Sequence, residues 1–196
     1  MSDWNTRQSL LIRLKDKHDD QSWEDFVKFY KPFIYMMVRK MNFDHHDAEE
    51  VVQQITLKAW RSLPEFNYSP DKGRFRSWLS RMTHNTVLDV IKSRQRYSNR
   101  LEKYKDVDHL QKLSAPEIEN MANVEWQTYI TNLAWKNVSP DFTEKVRLAF
   151  ERSLKGDDAE IIAEDLGLTK NAIYVYKKRV KERLTEEVRR LKEELE

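Results

Sequence analysis

The chain has 196 residues, 39% of them hydrophobic and 35% charged, and a formal net charge of +2. That length and low apolar share favour two small cores over one large one, and the near-zero charge says little because basic and acidic residues are segregated along the chain. Cysteine is absent, which excludes disulfide staples and thiolate chemistry; no apolar run approaches a membrane span and the N-terminus lacks a signal-peptide core, so a soluble cytoplasmic protein is expected.

Only three glycines and five prolines occur, runs of alternating Val, Ile and Thr are missing, and helical periods extend nearly end to end, so the expected fold class is all-α. Leu10, Leu11 and Leu14 make a short amphipathic opening helix that the polar residues 16–21 end. Ser22 is expected to begin a longer one, whose apolar face is Trp23, Phe26, Val27, Tyr30, Phe33, Ile34, Met37, Val38 and Met41, with Pro32 a candidate bend. Residues 42–46 turn the chain. Over residues 47–61, Ala48, Val51, Val52, Ile55 and Ala59 recur as one buried stripe. Glu50, Gln53, Gln54 and Arg61 lie opposite, Asp47 lies nearer the edge, and Leu57 points outward among them. One exposed leucine is ordinary, and Asp47 followed by Glu50 also reads as the capping pair of a helix start. The same amides, acid and leucine would suit a ridge that docks a protein partner.

Leu63 and Pro64 end this helix, and Asn67, Ser69, Pro70, Asp71 and Gly73 mark residues 65–73 as a loop. Phe75, Trp78, Leu79 and Met82 then start a helix that runs to about Arg96, near a basic stretch of Lys92, Arg94, Arg96 and Arg100. Periodicity weakens after that. Three segments follow: an N-terminal helical bundle over 1–96, a linker over 97–123 with some helix around Leu101, Tyr104 and Leu110, and a second helical domain over 124–196. Trp126, Ile130 and Leu133 open the second domain, and Phe142, Val146, Ala149 and Phe150 continue it.

Near the end, Asp157 or Asp158 can cap a helix carrying Ile162, Ala163 and Leu166; Gly167 permits a tight turn, and Thr169 can cap the next helix. Ile173, Tyr176, Val180 and Leu184 then fall inward, and Asn171, Tyr174, Val175, Lys178 and Arg179 outward. This is helix-turn-helix spacing, with a basic second helix. A recognition helix in the major groove places early outward side chains on base edges and more distant cations on phosphates. Lys170, Asn171, Tyr174, Val175 and Lys178 are the expected readers, and Lys177, Arg179 and Lys181 the positioning residues. The alternative is a solvated charged helix. Leu184, Val188, Leu191 and Leu195 extend an apolar seam too short for a zipper and suited to packing.

The run DAEEVVQQITLKAW at 47–60 followed by FRSWLSRMTHNTVLD at 75–89 resembles the second region of bacterial RNA polymerase sigma factors. The run AEIIAEDLGLTKNAIYVYKKRVKERL at 159–184 resembles their fourth region. With no third domain between them, the chain is similar to the extracytoplasmic-function group of the sigma-70 family. The resemblance implies a protein that is not an enzyme, binds core RNA polymerase through its β′ clamp coiled coil and β subunit, and directs it to promoter DNA. It places polymerase docking on Asp47, Glu50, Gln53, Gln54 and Leu57. It also implies that the loop and next helix capture the nontemplate strand of the minus ten element. Asn67, Tyr68, Lys72, Arg74, Arg76, Trp78 and Arg81 offer the cations and aromatic or polar groups this needs, although Trp78 and Phe75 also stand at core spacing. Asn85 and Asp89 match family positions as well, and a local cap or helix bond explains them equally. The minus thirty-five element would meet the helix-turn-helix, where Tyr174, Val175 and Tyr176 replace the small polar and basic run of many relatives, so its specificity is not transferable. An anti-sigma partner is a further implication. No cofactor is implied.

Two other functions fit parts of the sequence. A free-standing helix-turn-helix regulator would bind duplex DNA without polymerase. A metal enzyme could be built on His45, His46, Asp47 and Glu50, but the signature spacings of zinc helices are missing.

Overall fold

A computed structural model describes residues 7–16, 19–66, 75–97 and 107–195. Among these, every regular element is helical: α1 (Arg7–Arg13), α2 (Asp20–Lys40), α3 (His45–Ser62), α4 (Phe75–Tyr97), α5 (Val107–Lys112), α6 (Ala115–Val138), α7 (Glu144–Leu154), α8 (Ala159–Leu166) and α9 (Lys170–Leu195), with single 3-10 turns at Leu63–Glu65 and Ser139–Asp141. The chain divides into two compact units, Met1–Tyr129 and Ile130–Glu196.

In the first unit, α2, α3 and α4 pack on one another. The helix starts differ from expectation by a few residues. Asp19, not Ser22, caps α2: its carboxylate accepts the Ser22 amide at 2.9 Å, and Arg13 pairs with it at 2.8 Å. Arg13 and then the Ser22 amide hold the Asp19 carboxyl below its ordinary range. Pro32 lies within α2, which continues through it to Lys40. Asn42, at φ 64°, makes the turn into α3, a left-handed conformation that asparagine tolerates better than most residues. Asp44 caps α3 by accepting the Asp47 amide at 2.8 Å, so the capping role considered for Asp47 falls to the residue three places earlier.

The stripe Ala48, Val51, Val52, Ile55 and Ala59 is buried as its spacing requires. α3 packs on α2 and α4, where Phe26, Phe33, Ile34 and Met37 of α2 and Phe75, Leu79, Val87 and Ile91 of α4 are likewise buried. Tyr30 anchors the aromatic part, with ring centroids 5.3 Å from Phe26, 5.2 Å from Phe75 and 5.8 Å from Trp126.

The stretch read as a linker, 97–123, and the Trp126 that follows it are placed differently in the fold. Residues 107–112 form α5 and residue 115 starts α6, while Leu110, Ile118 and Ala122 are buried. Leu101 and Tyr104 lie outside the described residues. Trp126, expected to open the second domain, is fully buried in the first unit, edge-on to Phe33 at 5.2 Å. Ser77 donates to Glu119 at 3.0 Å, and His84 Nε2 lies 2.8 Å from the Leu110 carbonyl. The apolar residues of this stretch are single and widely spaced, so its periodicity is faint, whereas one tryptophan supplies a large packing area.

The second unit is built from the end of α6 with α7, α8 and α9. Ala149, Ile162, Ala163 and Ile173 form one cluster, and Val146, Phe150 and Val180 another. Tyr176 packs against both. Leu191 and Leu195 are buried, in keeping with the packing seam read beyond Leu184. Glu187, buried on the same helix, accepts hydrogen bonds from Asn137 at 2.8 Å and Arg190 at 2.6 Å.

Candidate functional site

Because Val51, Val52 and Ile55 turn inward, helical geometry presents Glu50, Gln53, Gln54 and Leu57 outward from α3, and all four are exposed. Leu57 is 47% exposed. Trp60, one turn further along, is 39% exposed, a residue the sequence reading passed over although its spacing from Leu57 places it beside the same ridge. Together with Trp23, Val27, Lys31, Gln53 and Thr56, these two line an open groove of about 430 Å³ between α2 and α3. An amphipathic helix that leaves a leucine and a tryptophan at the lip of an apolar groove can bind another protein's apolar side chains.

Asp47 is placed differently from the rest of its expected set. Its side chain is only 15% exposed, and the carboxylate pairs with Arg94 Nη1 at 2.8 Å. The same guanidinium donates through Nη2 to Glu50 at 3.0 Å, and its centre lies 5.9 Å from the Phe43 ring centroid. Gln54 Nε2 reaches the other Glu50 oxygen at 3.5 Å. In sequence Arg94 is one of several cations near the end of α4, and nothing in its spacing singles it out. Lys58 makes a second link from α3 to α4, to Thr86 at 3.2 Å and Asp89 at 3.4 Å. Asp89 thus has a tertiary partner beyond any local cap.

The grouping His45, His46, Asp47 and Glu50 does not assemble as a ligand set. His45 Nδ1 meets the Tyr35 hydroxyl at 2.8 Å and its Nε2 lies 3.8 Å from Glu49, while both acids are engaged by Arg94. No metal-ligating cluster of three or more side chains occurs among the described residues.

Of the residues expected to meet opened DNA, Asn67, Tyr68, Lys72 and Arg74 lie outside the described residues. Arg81 is exposed on α4. Trp78 is half-buried, with its ring 4.7 Å from Phe66 and 5.3 Å from Phe75, while Phe75 is wholly core. Arg76 is 6% exposed and its guanidinium lies 4.9 Å from the Trp126 ring centroid, so in this fold it packs under α6 and does not face solvent. That burial could not be foreseen from a sequence in which Trp126 belonged to another domain.

In the second unit, Asp158 caps α8 by accepting the Glu160 amide at 2.7 Å. Gly167 closes α8 in the left-handed conformation, φ 63° and ψ 45°, and the Leu168 amide donates back to the Ala163 carbonyl at 2.8 Å. Thr169 then accepts the Ala172 amide at 3.2 Å at the start of α9. A side chain at Gly167 would be strained whatever the space around it. Arg152 braces the turn before α8 by pairing with Asp157 at 2.7 Å and Asp165 at 2.6 Å.

With Ile173 and Val180 drawn into the core, α9 presents Lys170, Asn171, Tyr174, Val175, Lys178, Arg179 and Lys181 to solvent, and Lys177 is half-exposed. Tyr174 and Val175 are 54% and 53% exposed. Lys170 bonds to Glu160 at 2.7 Å, and that carboxylate holds its ammonium charged beyond the ordinary lysine range. Lys178 is 79% exposed, 3.9 Å from Glu182, and so has nearly all its reach available.

Residues 26–97, a span that runs from within α2 through α3 and α4, match the family model described as Sigma-70 region 2. The chain is 30% identical over 95 residues to the ECF RNA polymerase sigma factor SigE of Mycolicibacterium smegmatis, covering 48% of this chain and 35% of the relative. It is 30% identical over 94 residues to SigK of Mycobacterium tuberculosis, covering 48% and 49%, and 27% identical over 84 residues to SigW of Bacillus subtilis, covering 43% of each. The chain thus spans between about a third and a half of the length of these relatives.

Proposed function

We propose that this chain, whose residues 26–97 match Sigma-70 region 2 and which is similar to ECF RNA polymerase sigma factors, is a sigma factor of the extracytoplasmic-function group that binds core RNA polymerase, brings it to promoters through minus ten and minus thirty-five elements and assists their melting. The observation that carries this reading is the ridge of α3. Its inner face is completely buried, yet the helix keeps Gln53, Gln54, Leu57 and Trp60 exposed beside an apolar groove. Docking of polymerase on that ridge, with Glu50 as its acid, would remove the exposed leucine from water. Asp47 would serve from behind the surface, because its carboxylate is already covered.

Arg81, together with Asn67, Tyr68, Lys72, Arg74 and Trp78, is our proposed set for the opened minus ten strand. Arg76 would join only if α6 moved from it. Melting then needs no fuel, since stacking of captured bases on side chains contributes roughly 1 to 3 kcal/mol per base and offsets lost pairing. The turn from α8 into α9 supports a helix-turn-helix role at the minus thirty-five element, with Lys170, Asn171, Tyr174 and Val175 toward base edges and Lys177, Arg179 and Lys181 toward phosphates; Lys178, expected among the readers, is 79% exposed and is proposed to reach a phosphate instead. Valine can contact a thymine methyl and tyrosine a phosphate or base. Work alongside polymerase would place the protein in the cytoplasm, and no helix among the described residues is long and apolar enough to cross a membrane.

Run-off transcription with purified bacterial core polymerase on a promoter library tests the proposal. Specific initiation that depends on this chain is the expected result. Failure to stimulate any promoter, combined with tight binding of the chain alone to closed duplex DNA, would overturn it in favour of a free-standing regulator.

A further inference from the structure

Arg94 reaches 44 residues back along the chain to the start of α3, where one guanidinium bridges two carboxylates. The geometry is divided unequally. Nη1 holds Asp47 at 2.8 Å, a carboxylate that is 15% exposed and lies behind the surface. Nη2 holds Glu50 at 3.0 Å, a carboxylate that is 54% exposed and lies on the ridge. Phe43, 3% exposed, sits beneath the guanidinium with its centroid 5.9 Å away. The planar fork can satisfy two acids at once, which a lysine ammonium cannot do with the same directionality.

We infer that Arg94 is a positioning residue for polymerase docking: anchored by Asp47 and Phe43, it fixes the Glu50 carboxylate for a cationic or hydrogen-bond-donating group of the partner. This rests on the proposed docking surface and assigns Asp47 an indirect part in it. Arg94 fixes one Glu50 oxygen and leaves much of the carboxylate accessible, so a partner donor meets an acceptor whose rotamer freedom is already restricted. Removal of Arg94 would take from the Glu50 side chain its cationic partner and leave Asp47 and Glu50, one helical turn apart, without the guanidinium that bridges them. An isolated surface ion pair contributes little by itself, so the function of this bridge is to be read in binding and not in thermal stability.

The test is a double-mutant cycle on the full chain, with affinity for purified core polymerase measured by fluorescence anisotropy and folding checked by circular dichroism. Arg94→Met is expected to weaken binding about five- to tenfold, a change within the range of coupling found between residues in direct contact. Asp47→Asn should do the same, and the double variant should be no weaker than either single one, because both act through one arrangement. Arg94→Lys, which keeps the charge and a milder perturbation of the fold, should fall between wild type and Arg94→Met. Additive losses would mean that Asp47 touches polymerase itself, and would overturn the inference. Unchanged or tighter binding by Arg94→Met would overturn it as well, the latter identifying Arg94 as a competitor for Glu50. Leu57→Ala separates the two levels of the argument: if it weakens binding while Arg94→Met does not, only the positioning role fails. If Leu57→Ala and Arg94→Met both bind as wild type, the docking surface fails with it.

Discussion

Glu187 allows a stability prediction with a definite sign. It is 4% exposed on α9, and its carboxylate accepts from Asn137 Nδ2 at 2.8 Å, Arg190 Nη2 at 2.6 Å and Arg190 Nε at 2.9 Å. Arg183 Nη1 lies 3.9 Å away, and Arg190 also pairs with Glu194. The hydrogen bonds from Arg190 outweigh the cost of burial, and together with the bond from Asn137 they hold the carboxyl at about 2, against an ordinary 4.5. The folded value is the lower one, so the ionised group stabilises the unit fully above pH of about 4.5, and this contribution disappears as pH falls toward 2. A difference of that size corresponds to at most about 3 kcal/mol. Glu187→Gln removes the charge at nearly constant shape. Urea titrations at pH 6 and pH 2, followed through the Trp135 indole resonance, would report the unit that contains it, since Trp135 packs 5.2 Å from Phe150. Other carboxylates titrate in both proteins, and the wild type should therefore lose up to about 3 kcal/mol more than Glu187→Gln between the two conditions. Equal pH dependence in the two proteins would refute the argument.

Leu57→Asp should leave the thermal midpoint almost unchanged, because Leu57 is 47% exposed, and should reduce core polymerase affinity at least about tenfold by placing an unpaired carboxylate in a desolvated contact. An anisotropy titration checks this, and wild-type affinity would reject the ridge. Lys178→Ala should lower the slope of log affinity against log salt for promoter binding by the polymerase-bound protein by about one, if the ammonium neutralises one phosphate; an unchanged slope removes it from the phosphate set. Trp126→Ala should destabilise the first unit by about 3 to 5 kcal/mol, the usual cost of truncating a buried aromatic. Segment-resolved hydrogen exchange would register this as lost protection in α2 and α4, and unaltered protection there would return residues 107–123 to the status of a linker and Trp126 to the second domain.

Much of the architecture was legible because it depends on period and punctuation. The stripe from Ala48 to Ala59 needed only the 3.6-residue repeat to reveal which side of α3 is core, and the ridge around Leu57 follows as its complement. Gly167 and Thr169 marked the turn before α9 because a left-handed residue and an oxygen-bearing cap are local requirements. The family resemblance added the assignment of roles to those surfaces, which periodicity could not supply.

Tertiary structure decided what local pattern has no means to express. Trp126 joins Tyr30 and Phe33, and in doing so buries Arg76 beneath α6. Arg94 selects Asp47 and Glu50 from many available acids. Glu187 is held below the ordinary carboxylate range by Arg190 and Asn137, although its sequence neighbourhood is an ordinary charged helix. A side chain's own periodicity sets the face on which it lies, whereas its partner across the fold is set by packing of elements far apart in the chain, and that choice determines burial, charge state and reach.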